Sequence, residues 1–258
     1  MTKLKVSIHT YNRNLLLIWR ELIMEKMRLN KYLSAQGVCS RREADRLIDE
    51  GKVTINGHIA EMGEKVHGTE DIICDGHLVN KAEEEKIVLA LNKPVGIVCS
   101  SKEKNNIIDY LKYPKRIYPV GRLDKDSTGL ILLTNDGELM NDILKARNFH
   151  EKEYEVRVNK RITADFIQGM SQGVWLEDLG EKTRPCKVKK VDAYTFRIIL
   201  TQGLNRQIRR MCASFDFRVV TLKRIRIMNI ELGDLEVGQW REIKGRELKE
   251  LRGGAGHE

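Results

Sequence analysis

One stretch limits what this chain can become: residues 121–137, GRLDKDSTGLILLTNDG. Leu130-Ile131-Leu132-Leu133-Thr134 is a short, unbroken apolar run bounded by turn residues, and it reads as a buried strand. Asn135-Asp136-Gly137 ends it, with Asp136 as a turn residue. Gly121 and Gly129 fence the approach and open backbone conformations closed to other residues. As pure architecture, this is a turn leading into a hairpin. As chemistry, it holds one carboxylate, Asp124, at the mouth of a buried strand, with Arg122 and Lys125 close by. A carboxylate between cations stays ionised at neutral pH and can act as a nucleophile or a base.

The rest of the pattern places that strand in an α+β fold. Residues 27–80 form a small module. Leu29, Tyr32 and Leu33 share helical spacing and Gly37 ends the helix. Ser40-Arg41-Arg42-Glu43 is a capping box for a second helix carrying Ala44, Leu47 and Ile48. Val53-Thr54-Ile55 turns at Asn56-Gly57, and Ile72–Val79 reads as another short hairpin. Residues 81–86 are a charged linker. Beyond it, Ile87–Leu91 is a strand, Lys93-Pro94-Val95-Gly96 a turn and Ile97-Val98-Cys99 a second strand. Tyr154, Val156 and Val158 share one strand face. Thr163 caps a helix that Gly173 ends. Strands at 187–191 and 195–201 precede a helix at 206–214, and 219–232 is strand-like. The pattern predicts a mainly antiparallel sheet with flanking helices over 87–251 and a flexible glycine-rich tail at 252–258.

Residues 1–26 read as an extension outside the fold, with Met27 opening a cleaner pattern. Their apolar run, Leu15–Trp19, is far too short to span a bilayer, and Arg20 and Glu21 follow it. Five cysteines, none in a CxxC pair, argue against a zinc site or a disulfide framework and point to a reducing cytoplasm.

Charge narrows the partner. The chain carries 46 Lys and Arg against 37 Asp and Glu, a net charge of +9. Residues 27–80 hold 7 basic and 9 acidic side chains, whereas residues 182–226 hold 13 basic ones against Asp192 and Asp216 alone. Such a segment favours a polyanion, most simply nucleic acid. Gly203–Met211, GLNRQIRRM, sets Arg206, Arg209 and Arg210 around a helix start, a pattern suited to phosphate. Lys152–Val156, KEYEV, places a tyrosine hydroxyl on a strand.

GRLDKDSTGLILLTNDG, KEYEV and GLNRQIRRM, in this order, resemble the pseudouridine synthases. The N-terminal module resembles the small RNA-binding fold first known from ribosomal protein S4. With the Lys93-Pro94-x-Gly96 turn, it narrows the resemblance to the branch that modifies ribosomal RNA. GLNRQIRRM and KRIRIMN (223–229) narrow it further, towards enzymes of the large subunit. The resemblance spans roughly Met27 to Leu251. It implies that Asp124 is the catalytic nucleophile, that Tyr154 stacks on the target base, and that Arg209 pairs bidentately with Asp124. It implies isomerisation of a uridine already in RNA: the C1′–N1 bond breaks, the uracil turns, and C5 joins C1′. The base must leave its stack to be reached.

No cofactor and no metal is implied. Arg28, Lys31, Arg41, Arg42 and Arg46 of the module, with Arg122, Arg206 and Arg210, are the candidate RNA contacts. Lys93 and Pro94 would shape a sheet edge. Large-subunit ribosomal RNA is the expected partner of a cytoplasmic monomer, with small-subunit RNA and a transfer RNA anticodon arm left open. A non-catalytic assembly factor would explain the charge and the module, but not three motif residues in place. A hydrolase with paired carboxylates would need Asp126 as the second acid.

Overall fold

Leu130 to Leu133 are all buried because their strand lies inside a sheet covered on both faces. The computed structural model describes residues 26–79, 85–100, 103–145 and 148–255, and the chain divides into two compact units between Glu85 and Lys86. Residues 1–25 of the expected extension 1–26, residues 81–84 of the expected linker 81–86 and residues 256–258 of the expected tail lie outside the described residues.

The first unit runs β1 (Met27–Arg28), α1 (Leu29–Ala35), α2 (Arg41–Asp49), β2 (Val53–Ile55), β3 (His58–Ile59), β4 (Lys65–Val66), β5 (Ile72–Cys74) and β6 (His77–Leu78). β1 pairs with β4, and an antiparallel sheet has the order β3-β2-β5-β6. Gly37 closes α1 with a φ of 75°. There the Gly37 and Val38 amides donate back to Ser34 O and Leu33 O. Ser40 caps α2, its hydroxyl accepting from the Glu43 amide at 3.1 Å. The other half of the expected capping box does not form. Glu43 turns instead to the Arg46 guanidinium, 3.1 Å from Nε, because a charged donor one turn on outcompetes a neutral amide. Leu29, Leu33, Ala44, Leu47, Val53 and Ile72 fill the core between helices and strands.

The second unit begins with β7 (Val88–Lys93), α3 (Ile107–Leu111), β8 (Tyr118–Pro119), β9 (Thr128–Thr134) and α4 (Gly137–Leu144). It continues with β10 (Lys152–Val158), α5 (Ala164–Ser171), β11 (Trp175–Leu176), β12 (Glu181–Lys182), β13 (Lys187–Lys190) and β14 (Thr195–Leu200). α6 (Gln207–Ala213), β15 (Val219–Ile227), β16 (Ile230–Glu231), β17 (Trp240–Glu242) and α7 (Gly245–Ala255) complete it. The main sheet follows the path β13-β14-β10-β15-β9-β7-β17, with β16 beside β15 and β8 beside β9. Its ladders are antiparallel except where β15 meets β9 in parallel, at Lys223 with Thr128 and Arg224 with Gly129.

Alternation along β9 explains the apolar run. Leu130 and Leu132 pack with Leu139, Ile143, Leu251 and Ala255 beneath α4 and α7. Ile131 and Leu133 pack on the other face with Ile107, Ile117 and Leu123. A third cluster joins Val156, Phe166, Met170, Phe196, Ile198 and Met211 under α5 and α6. Asp136 does more than turn the chain: its carboxylate caps α4, accepting from Glu138 N and Leu139 N at 3.2 Å each.

Two expectations are corrected. Ile97–Cys99 is not a strand; only Val98 makes an isolated bridge, to Asn106. The buried Lys93 ammonium donates to Pro94 O and Ile97 O at 2.8 Å, and this wraps the segment around the lysine instead of along a ladder. The expected flexible tail is helical as far as Ala255, which is 2% exposed. His150 Nε2 lies 3.1 Å from Gly254 O and pins that end.

Candidate active site

Asp124 sits in the loop between β8 and β9, anchored on both sides by what flanks it. Leu123 is buried in the core, and its amide donates to Cys99 Sγ at 3.4 Å. The Ser127 amide closes the turn on Asp124 O at 3.1 Å. Gly96 N reaches Lys125 O at 2.8 Å, tying the 93–96 turn to the same loop. Asp124 itself is half-buried, and its carboxylate faces two arginines from the start of α6. Arg206 Nη1 and Arg209 Nε each lie 3.8 Å from Oδ2.

Arg209 does not form the expected bidentate pair with Asp124. Its Nη2 is occupied elsewhere, 3.2 Å from Asp126 O, 3.3 Å from Ser127 Oγ and 3.3 Å from Asp126 Oδ2. One guanidinium thus spans the whole 124–127 turn. Burial acts to raise the Asp126 carboxyl, but Arg209 and then Arg206 outweigh it and hold the group below its ordinary value. A raised-pKa acid for glycoside hydrolysis is therefore missing at Asp126.

Tyr154 lies on β10 with its ring against two of the hydrophobic clusters. Arg224, its partner across the β10–β15 ladder, has its guanidinium 5.9 Å from the ring centroid. Asp124, Arg122, Lys152, Tyr154, Arg206 and Arg224 line one cavity of about 370 Å³. Arg224 is placed at this cavity by the β15–β9 junction. Gly129 meets the backbone of Arg224 so closely that a Cβ would stand 2.2 Å from Arg224 O.

A family model for RNA pseudouridylate synthases matches residues 87–214, and one for the S4 domain matches residues 27–73. The dual-specificity RNA pseudouridine synthase RluF of Escherichia coli K12 is 53% identical over 228 residues, covering 87% of this chain and 78% of that protein. The chain belongs to the RNA pseudouridine synthases. The ribosomal large subunit pseudouridine synthase B of Bacillus subtilis is 36% identical, over 89% of this chain and 97% of its own length. A crystal structure of a pseudouridylate synthase superposes with a TM-score of 0.66 at 30% identity, over 87% of this chain and 99% of the other.

Asp124 and Tyr154 line the same cavity, Arg209 stands beside Asp124, and the cationic residues take different places. Arg206 faces Asp124 and Asp126 as well as the cavity. Arg210 is turned away, paired with Asp178 and donating to Asn205 O at 2.9 Å. Arg46 is likewise engaged, by Glu43 and Glu50. Arg122 is exposed at the cavity. In the first unit Arg28, Arg41 and Arg42 are exposed and Lys31 is half-buried. Two of the basic residues at 182–226 are paired with acids from elsewhere: Arg197 with Glu155, and Arg226 with Glu151 and Glu153.

Lys93 is no edge residue. It ends inner strand β7 opposite Gly129, is fully buried, and is held below its ordinary pKa by burial. Sequence reasoning missed Lys152 and Arg224 as cavity residues. Lys152 was within reach, since period two puts it on the face of Tyr154. Arg224 needed the strand register.

Proposed function

We propose that this synthase isomerises a uridine of large-subunit ribosomal RNA, with Asp124 as the nucleophilic carboxylate. The observation that carries the reading is a single cavity in which Asp124, under two arginines, shares a wall with the Tyr154 ring. Tyr154 offers a face on which an extruded uracil stacks. Arg209 spans the 124–127 turn and steadies the carboxylate near the ribose. No cofactor enters: one C–N bond is exchanged for one C–C bond, and the C5 proton is lost as N1 regains one.

The substrate follows from relatives. One is named for the ribosomal large subunit and another for dual specificity on RNA. A second RNA class, such as small-subunit RNA or a transfer RNA anticodon arm, is therefore part of the same test. The S4-type unit selects the RNA through exposed cations on α2, and the protein acts as a cytoplasmic monomer.

The test is tritium release from C5-labelled transcripts of both ribosomal RNAs and transfer RNA, with the intact protein and Asp124→Asn. Release from large-subunit RNA by the intact protein alone is the expected result. No release from any of the three, with salt-sensitive binding intact, makes the chain a binding protein instead. Release by Asp124→Asn removes Asp124 from the reaction.

A further inference from the structure

Among the described residues, three cations in or beside this cavity make no ion pair with a carboxylate. Lys93 is 0% and Arg224 3% exposed, and Lys152 is half-buried. Their donors end on carbonyl oxygens: Lys93 on Pro94 O and Ile97 O, Lys152 on His150 O at 3.3 Å, and Arg224 Nε on Leu130 O at 2.7 Å. Among the described residues no carboxylate forms an ion pair with Lys152 or Arg224, and Arg224 Nη2 is buried with no hydrogen-bond partner at all. A buried guanidinium with an unmet N–H is costly, and its natural relief is a group that arrives with negative charge.

The placement is built rather than incidental. Arg224 is locked by Leu130 O and by the backbone contact at Gly129, and it faces Tyr154 across the ladder. Lys152 lies two residues before Tyr154 on β10 and so shares its face. Both line the cavity that contains Asp124. A base stacked on Tyr154 has these donors beside it.

We propose that Arg224 and Lys152 form a cationic floor that receives the carbonyl oxygens of the target uracil as they gain negative charge. The proposal rests on the reading of the chain as a uridine isomerase. The charge arises whichever way Asp124 acts. If C1′–N1 breaks by attack at the ribose or by loss of a ribose proton, the bonding pair leaves with the uracil and spreads over O2 and O4. If Asp124 adds to C6, the pair moves to O4. On the C6 route C1′–N1 then breaks as well; in every case C5 bonds to C1′, Asp124 leaves C1′ or C6 or returns the proton it took to the ribose, and C5 loses its proton while N1 regains one. Donors fixed before the reaction stabilise such charge strongly in a site closed to water. Burial and the neighbouring Arg224 bring Lys152 down to about 8, which places a proton on it at neutral pH with little to spare.

The test is single-turnover isomerisation by Lys152→Met, Lys152→Arg and Arg224→Lys. It uses the transcript that the wild type modifies, and the same RNA with an uncharged methylphosphonate on the 5′ side of the target. The Met variant is expected to lose about 100-fold in rate, with RNA affinity unchanged and a thermal midpoint no lower than that of the wild type, and equally on both RNAs. Lys152→Arg should recover most of that loss, which a packing role would not. Should Arg224→Lys fail to fold, the two Lys152 variants decide alone. A loss confined to the RNA with the charged phosphate moves the oxygen from uracil to phosphate and overturns the assignment, as does a loss in affinity alone. Variants as fast as the wild type overturn the floor only. Absent wild-type turnover overturns the functional reading, and the floor with it.

Discussion

Arg209 Nε lies 3.8 Å from Asp124 Oδ2, and this buried nitrogen has no hydrogen-bond partner. The rest of the guanidinium is held by Asp126 and Ser127, so the pair is aimed but not closed. Catalytic hydrogen bonds are often long in a free enzyme and tighten with substrate. Arg206 stands at the same 3.8 Å but is 45% exposed, against 15% for Arg209. Water screens the first far more than the second. Arg209→Ala should therefore lower kcat/KM by about 10²-fold or more, as expected for a buried charge partner. Arg206→Ala should cost at most about fivefold, as expected for an exposed charge. Equal losses in a tritium-release assay would mean that the two share the carboxylate equally.

Gly129 is the point where β9 meets β15. It has a φ of +102°, and an added Cβ would stand 2.2 Å from Arg224 O and 2.6 Å from Arg224 N. Neither atom can move without breaking the parallel junction that holds Arg224 in place. Gly129→Ala is expected to destabilise the fold by about 3 kcal/mol, in the range of severe backbone strain. Urea denaturation measures this, and a midpoint equal to that of the wild type would show that the junction yields.

The same junction marks how far the sequence could be read. The apolar run at 130–133, the α2 cap at Ser40 and the shared strand face of Tyr154 and Val156 are local patterns, and each stands where local chemistry puts it. The strand expected at 97–99 fails because a buried ammonium four residues earlier claims Ile97 O, and pattern rules carry no signal for that. The tail at 252–255 has two glycines and reads as flexible. It becomes helix because Ala255 and Leu251 pack beneath β9, a contact more than a hundred residues away in sequence. In the candidate site, Asp124, Tyr154 and Arg209 were legible through the resemblance that their three motifs carry. Arg224 was not, because its position depends on the register of β15 against both β9 and β10. Arg46 and Arg210 carry the right charge for RNA, but their acids, Glu50 and Asp178, hold them.

Lys152 also makes a thermodynamic prediction. Its ammonium is brought from 10.5 to about 8 in the folded chain, first by burial and then by Arg224. His150, whose carbonyl accepts from it, and Asp124, Tyr154 and Arg224 share its cavity. Below pH 8 both folded and unfolded chains keep the proton, and the folded state bears the full cost of the buried charge. Between 8 and 10.5 the unfolded chain binds more protons, so this residue's contribution to stability rises with pH. Lys152→Met should accordingly be more stable than the wild type at pH 7, with the difference shrinking to nothing by pH 10.5. Urea midpoints at the two pH values test it; a gap that grows with pH would reverse the sign and discard the buried-charge account.

On α2 the geometry separates cations that are available from one that is not. Arg41 and Arg42 are exposed at the helix start, whereas Arg46 is clasped by Glu43 and Glu50. A phosphate must compete with two carboxylates for Arg46, and with water alone for an unpaired arginine. Arg41→Ala and Arg42→Ala should each weaken RNA binding and lower the log–log salt slope by about 0.7, the value for one phosphate contact on a single strand. Arg46→Ala should leave that slope unchanged and act mainly on the helix, through ion pairs each worth about 0.3–0.5 kcal/mol. Filter-binding titrations across a salt series measure both effects. A slope that falls for Arg46→Ala but not for the other two would mean that an RNA phosphate displaces Glu43 and Glu50 from Arg46.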